Sequence, residues 1–305
     1  MMIIFLLAAV LLGGSYYAYR LAFLSQKTDP NNIPEVMGEM YAPYKPLLNE
    51  MFQTLINRPC EEVTITSHDG LTLFGRYYHT ADGAPLDIGF HGYHSNYIYD
   101  FCGGSLISLS QGHNLLLIDQ RAHGNSQGKT ISFGINERKD ALSWVNYAIH
   151  RFGADTKICL YGVSMGAATV LMAAGLNLPE NVKGIIADCP YVRASDIIVE
   201  VGKSMKYPGW FTVPCAWLGA RIYGGFNLYE TDAVKAVTKS RVPILIIHGE
   251  DDTLVPASMS ALAQQANPKL VRRETFPGAG HAMSYMVDTD RYWKAAIGFM
   301  SEVLS

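Results

Sequence analysis

A serine that attacks an acyl carbon, a histidine that takes its proton and a carboxylate that fixes the histidine tautomer make a known chemical set. This chain carries all three in a workable order. Ser164 stands in Gly162-Val163-Ser164-Met165-Gly166, between an apolar run that ends at Tyr161 and a small-residue stretch that closes at Gly175. That pattern predicts a strand, a sharp turn and a helix. Glycines two positions either side of the serine let strand and helix pass without a Cβ collision, and the turn lifts the hydroxyl above the sheet. Met165 then offers its backbone N–H at the positive end of the new helix, where a developing oxyanion can be held.

The base and the acid must come later in the chain if the order is serine, acid, histidine. Two histidines follow Ser164, namely His248 and His281. His281 lies in the glycine-rich stretch Pro277-Gly278-Ala279-Gly280-His281, which suits an imidazole reaching over a sheet, so it is taken as the base. His248 ends an apolar run and is assigned to packing or loop support. The stretch His248-Gly249-Glu250-Asp251-Asp252-Thr253-Leu254-Val255-Pro256 supplies three adjacent carboxylates. Asp252 is taken as the acid, with Glu250 and Asp251 as solvated turn residues and Asp188 as a substitute acid.

The elements that must position these residues alternate along the chain. Two alternating runs, residues 62–67 and 71–79, flank a His-Asp-Gly turn and predict a hairpin. Apolar runs at 86–90, 115–119, 158–161, 184–188, 242–248 and 270–276 then alternate with helical stretches, of which residues 136–152 and 290–304 are the clearest. Such alternation implies an α/β fold, a mostly parallel twisted sheet with helices on both faces and its functional groups at the carboxyl ends of the strands. Residues 190–239 break the alternation and carry Tyr191, Tyr207, Trp210, Phe211, Trp217, Tyr223 and Phe226. An insertion of that size predicts a small helical cap.

The first 24 residues carry no charged side chain before Arg20. That length and the tyrosines Tyr16, Tyr17 and Tyr19 predict an uncleaved single-pass membrane anchor with an aromatic interface, against two rivals: a cleaved signal peptide, for which the chain lacks a basic start, and a buried helix of the globular domain. Arg20 and Lys27 after it place the catalytic part on the cytoplasmic side by the distribution of positive charge. Residues 25–59 read as a proline-dotted linker followed by a docking helix, and residues 60–305 as the catalytic domain. The chain of 305 residues is 49% hydrophobic with a net charge of −3, ample for a buried core and without a basic stripe for nucleic acid. Five scattered cysteines without a Cys-Xaa-Xaa-Cys pair predict buried free thiols.

These motifs together resemble the α/β-hydrolase family, from about Glu62 to the end of the chain. The resemblance rests on the Gly162–Gly166 turn, on His248-Gly249 with Asp252 and Val255-Pro256, and on Gly280-His281. It places the family's acid on Asp252. Phe90-His91-Gly92-Tyr93 is similar to the family's His-Gly turn, whose following residue gives a second oxyanion N–H, which implies Tyr93. Residues 119–126 (DQRAHGNS) resemble the family's DxRGHGxS loop with alanine at the first glycine, which implies scaffold roles for Arg121 and His123. The layout is similar to bacterial membrane-associated hydrolases grouped with serine peptidase-like or dienelactone hydrolase-like members, although a dienelactone hydrolase proper would carry a cysteine at Ser164.

His91, His94 and His123 are read as parts of two loops rather than as a zinc site, which needs three convergent ligands. No nucleotide fingerprint is present, and no cofactor is expected. The expected activity is hydrolysis of an ester, thioester or amide bond of a small, partly apolar substrate by Ser164, His281 and Asp252, with Tyr93 and Met165 as oxyanion donors. Peptidase or acyltransferase action on the same residues is the alternative. A binding module that keeps the fold without catalysis is the further rival, and the intact set of three argues against it.

Overall fold

The structure, a computed structural model, describes residues 2–26 and 39–305, with side chains from residue 11 in the first segment and from residue 40 in the second. Residues 27–38 of the expected linker lie outside the described residues. The chain begins with α1 (Met2–Ala22), then a 3-10 turn (Glu39–Tyr44) and α2 (Lys45–Ile56). The expected hairpin follows as β1 (Glu61–Thr66) and β2 (Thr72–Tyr78), closed by Ser67, Asp69 and Gly70, with Ile65 opposite Leu73. The serine hydroxyl donates to Asp69 at 2.6 Å, and Gly70 takes a φ of +88° that favours glycine at the turn.

The alternating part comprises β3 (Leu86–Phe90), α3 (Tyr97–Ser110), β4 (Asn114–Asp119), α4 (Glu137–Phe152), β5 (Ile158–Val163), α5 (Met165–Ala173) and β6 (Val182–Asp188). After β6 come α6 (Ala194–Ser204), α7 (Gly209–Ile222) and α8 (Ala233–Val237). The chain closes with β7 (Ile244–Gly249), α9 (Ser258–Ala266), β8 (Val271–Phe276), α10 (Ser284–Val287) and α11 (Thr289–Leu304). Among the described residues, eight strands make one sheet in the order β1-β2-β4-β3-β5-β6-β7-β8, parallel except for the hairpin at one edge.

β3, β4, β5 and β7 are buried at every position, as continuous apolar runs require when both faces are covered. One face packs Trp144 and Val145 of α4 and Val170 and Leu171 of α5 against Ile88, Leu116 and Leu160. The other packs Phe52 of α2, Phe101 of α3 and Phe299 of α11 against Leu117, Cys159 and Ile247. Each such side chain, taken wholly from water, contributes about 1.5–3 kcal/mol. α2 closes the α3 side of the sheet through Leu48 and Phe52. All five cysteines are free, four of them buried and Cys60 exposed, so the expectation of buried thiols fails at Cys60.

The membrane anchor expected over residues 1–24 is not supported, because among the described residues no helix is long and apolar enough to cross a membrane. The second half of α1 instead packs within the protein. Ser15, Tyr19 and Phe23 are buried, and a Cβ at Gly219 of α7 would meet Tyr19 at 3.2 Å. The chain just past α1 is pinned by a bond from Ile131 N–H to the Phe23 carbonyl at 2.7 Å and by Phe23 edge-on to Phe133 and Phe226. The cap thus consists of α6 and α7 with the end of α1 beside them. α8 belongs to the main body, since a Cβ at Gly175 beyond α5 would strike Ala236.

Candidate active site

Ser164 takes φ +54° and ψ −112°, a conformation that costs an L-residue energy and persists only where its surroundings dictate it. Two neighbours dictate it here. A Cβ on Gly166 would collide with the carbonyl of Phe90, and one on Gly162 would strike the backbone of Gly166, so β5, α5 and β3 approach as closely as glycine permits. The Ser164 N–H donates to the Asp188 carbonyl at 2.8 Å, tying the turn to the end of β6.

The three residues singled out by order converge. His281 Nε2 lies 2.9 Å from Ser164 Oγ, and His281 Nδ1 lies 2.7 Å from Asp252 Oδ2. With Nδ1 protonated and donating to the carboxylate, Nε2 is the free acceptor for the serine proton. Asp252 also accepts from the backbone N–H groups of Leu254 and Val255 on Oδ1, at 3.0 and 2.7 Å. Burial alone would raise its carboxyl, but His248, His281 and the Val255 N–H outweigh burial and hold it well below the usual carboxylate range. It stays ionised.

His248 is bound on the far side of the acid. Its Nε2 donates to the Val255 carbonyl at 2.8 Å and stands 3.4 Å from Asp252, so it braces the acid loop. Asp188 is equally removed from the role of substitute acid: its Oδ2 accepts from the Tyr292 hydroxyl at 2.8 Å, and Tyr292 in turn bonds Tyr161. Burial raises the Asp188 carboxyl to about 6. Glu250 accepts from Thr275 at 2.6 Å, and Asp251 is exposed at the loop surface.

The two expected oxyanion donors flank the serine. Met165 is the first residue of α5, where a backbone N–H has no acceptor within the helix. Among the described residues the Tyr93 N–H meets no acceptor, and its turn lies close by: a Cβ on Gly92 would sit 3.4 Å from Ser164 Cβ. The Tyr93 hydroxyl donates to the Ala22 carbonyl at 3.1 Å, which joins this turn to the end of α1.

The histidines and arginine assigned to scaffold are bound to scaffold. His91 Nε2 accepts from Gln120 N–H at 3.1 Å, and His123 Nε2 accepts from His94 N–H at 3.1 Å. Burial lowers these imidazoles to about 4 and about 3, so both are neutral near pH 7. Arg121 forks onto Asp140 at 2.6 and 2.7 Å and onto Asp69 at 2.9 and 3.1 Å, tying the loop after β4 to the hairpin.

Three residues escaped the sequence reading. Asp100, in the first turn of α3, accepts from Gly92 N–H and from the Ser95 hydroxyl, so it shapes the turn that presents Tyr93. Its eight-residue separation from Gly92 matches no motif. Burial raises its carboxyl to about 6. Tyr41, from the segment before α2, donates to the His281 carbonyl at 3.1 Å and braces the histidine loop from outside the hydrolase motifs. Cys189 Sγ lies 4.0 Å from His281 Nε2, and only its place right after Asp188 could have hinted at this.

A mostly parallel sheet with a serine on a strained turn after β5, an acid after β7 and a histidine after β8 defines an α/β-hydrolase. The chain belongs to the prolyl oligopeptidase family, whose sequence profile matches residues 127–305. A second profile, that of the X-Pro dipeptidyl-peptidase (S15) family, matches residues 13–212. The uncharacterized protein YqkD of Bacillus subtilis is 26% identical over 301 residues, 98% of this chain and 95% of its own. Among solved structures, the Pyrococcus furiosus esterase Pf2001 superposes with a TM-score of 0.68 at 23% identity, covering 90% of this chain and 98% of its own. The Pyrococcus horikoshii acylaminoacyl peptidase superposes with a TM-score of 0.64 at 16% identity, covering 84% of this chain and 43% of its own. The protein is a hydrolase of α/β-hydrolase type.

Proposed function

We propose that this protein is a serine hydrolase that cleaves an ester, thioester or amide bond of a small, partly apolar substrate through an acyl-enzyme. His281 Nε2 takes the Ser164 proton as the oxygen attacks the acyl carbon, and Asp252 stabilises the imidazolium that forms. The N–H groups of Met165 and Tyr93 hold the oxyanion of the tetrahedral intermediate. His281 then gives its proton to the leaving alcohol, thiol or amine, and a water activated by the same nitrogen releases the acid.

The observation that carries this reading is the unbroken line Ser164 Oγ, His281, Asp252 at 2.9 and 2.7 Å. Its placement beside two backbone N–H groups supports acyl transfer over any other use of a serine. Peptidase action is the second reading, favoured by the two peptidase profiles that match most of the chain.

A panel of p-nitrophenyl esters of graded acyl length, run beside aminoacyl and acylaminoacyl p-nitroanilides, tests both. Turnover of the esters is expected. Turnover of the anilides at comparable kcat/KM would move the assignment to a peptidase. No turnover of any member by protein that folds and is pure would overturn the hydrolytic reading of Ser164.

A further inference from the structure

The outer face of the cap does not look like a surface made for water alone. α7 carries a single charged residue, Arg221, and α1 carries only Arg20. Trp210 is 79% exposed, and Leu12, Tyr16, Tyr17, Trp217 and Ile222 are each at least 40% exposed. Scattered apolar residues on a surface need no explanation, but these are joined. α1 lies along α7, with Gly14 close against Cys215 and Phe211, and Tyr16 stands edge-on to Tyr223 at 5.2 Å. The turn from α6 to α7 extends the patch through Met205 and Tyr207, both about 40% exposed.

We propose that this α1–α7 face seats the protein on an anionic lipid surface, lying on the bilayer rather than crossing it. Three observations select lipid as the occupant. Tryptophan and tyrosine with flanking cations are the side chains that favour the boundary between headgroups and acyl chains. Arg20, Lys206 and Arg221 are exposed on this face, and among the described residues none of them is paired with a carboxylate. The acids of α6 are matched by its own cations, Glu200 by Lys203 at 2.8 Å and Asp196 by Arg193 at 3.4 Å, so the face keeps net positive charge toward an anionic partner. The sequence upstream of Leu11 is also free of charged side chains, so it continues the apolar character of α1.

Seating has a route to the site. The carbonyl of Ala22, at the last turn of α1, accepts from the hydroxyl of Tyr93, the residue after the His-Gly turn. A helix held at a lipid surface therefore lies one hydrogen bond from a proposed oxyanion donor. If the serine hydrolase reading holds, the face implies that the substrate is a lipophilic acyl compound taken from the membrane surface.

The test uses the full chain and reads binding, not turnover, so its failure is separate from that of the proposed activity. Flotation with vesicles of phosphatidylcholine alone and of phosphatidylcholine mixed with phosphatidylglycerol is measured for the native protein. The same is done for Trp210→Ser/Trp217→Ser and for Lys206→Glu/Arg221→Glu. All four positions are exposed, and retained turnover of a soluble ester, or an unchanged melting curve, reports the fold. Native protein should float with the anionic vesicles, and each double variant should bind at least about tenfold more weakly. Added salt should weaken binding of the native chain and of the tryptophan variant, but hardly that of the charge-reversed one. Absence of flotation overturns the proposal. So does flotation undiminished in both variants, which would assign binding to the first ten residues alone. A lipid-free dimer that the tryptophan variant converts to monomer would assign the face to a second copy of this chain.

Discussion

The strand ends and the cap are built on opposite rules. At the strand ends every functional group is fixed by backbone: Ser164 by a strained turn, Asp252 by two N–H donors, His281 by its own loop and Tyr41. In the cap, helices pack through small residues, Gly14 and Gly219, and leave large aromatic ones outside. The first region tolerates almost no change in shape, while the second tolerates change in shape but not in surface chemistry. Positioning of reacting atoms demands the former, and contact with a deformable apolar partner demands only the latter.

The largest expected effects lie at the strand ends. Ser164→Ala should lower kcat by roughly 10⁴-fold or more with the melting temperature nearly unchanged, measured on the best ester of the panel. Asp252→Asn keeps the size of the acid but lets His281 adopt the wrong tautomer, and a loss on the order of 10⁴ in kcat is expected. If Asp252→Asn costs less than tenfold, the acid is misassigned and the buried Asp188 must be reconsidered.

A smaller effect separates the buried Asp188 carboxyl from that of Asp252 by pH. Asp188 is raised from 3.8 to about 6 by burial, so the folded protein binds its proton more tightly than the unfolded chain does. Its contribution to stability is present below pH 4 and is lost as pH rises through 6. Asp188→Asn should therefore gain stability relative to the native protein between pH 5 and pH 8, by on the order of 1 kcal/mol, read by urea denaturation at the two pH values. Asp252, held low, behaves in the opposite sense, its contribution being lost as pH falls below the ordinary carboxylate range. An identical stability difference at pH 5 and pH 8 would show that Asp188 is not raised.

The smallest effect tests the brace from outside the hydrolase motifs. Tyr41→Phe removes one hydrogen bond to the His281 carbonyl, worth about 1 kcal/mol. A fall of a few-fold in kcat with KM unchanged is expected. A change in KM alone would place Tyr41 at substrate rather than behind the histidine.

The sequence was most legible where backbone geometry forces residue type. The Gly162–Gly166 spacing can be read because a Cβ at either glycine would strike backbone, and the hairpin because its turn needs Gly70. The alternation of apolar runs revealed the parallel sheet for the same reason, since strands covered on both faces admit nothing else. Asp100, Tyr41 and Cys189 were not legible, because their contacts join distant segments through side chains whose types are free elsewhere. The apolar run of α1 is ambiguous by length: a helix that buries Ser15 and Tyr19 against a cap and a helix that crosses a bilayer share the same composition. Only the partner differs. Likewise the cap aromatics read alike in sequence, yet Tyr191 and Phe226 face inward and Trp210 faces out.

The central claim is that Ser164 is the nucleophile, and its most direct measurement is labelling by a fluorophosphonate followed by intact mass and peptide mapping. The native protein should gain one phosphonyl group, on the peptide that contains Ser164, and Ser164→Ala should gain none. Labelling of Ser164→Ala at the native rate, or a native protein that stays unlabelled while folded, would contradict the account.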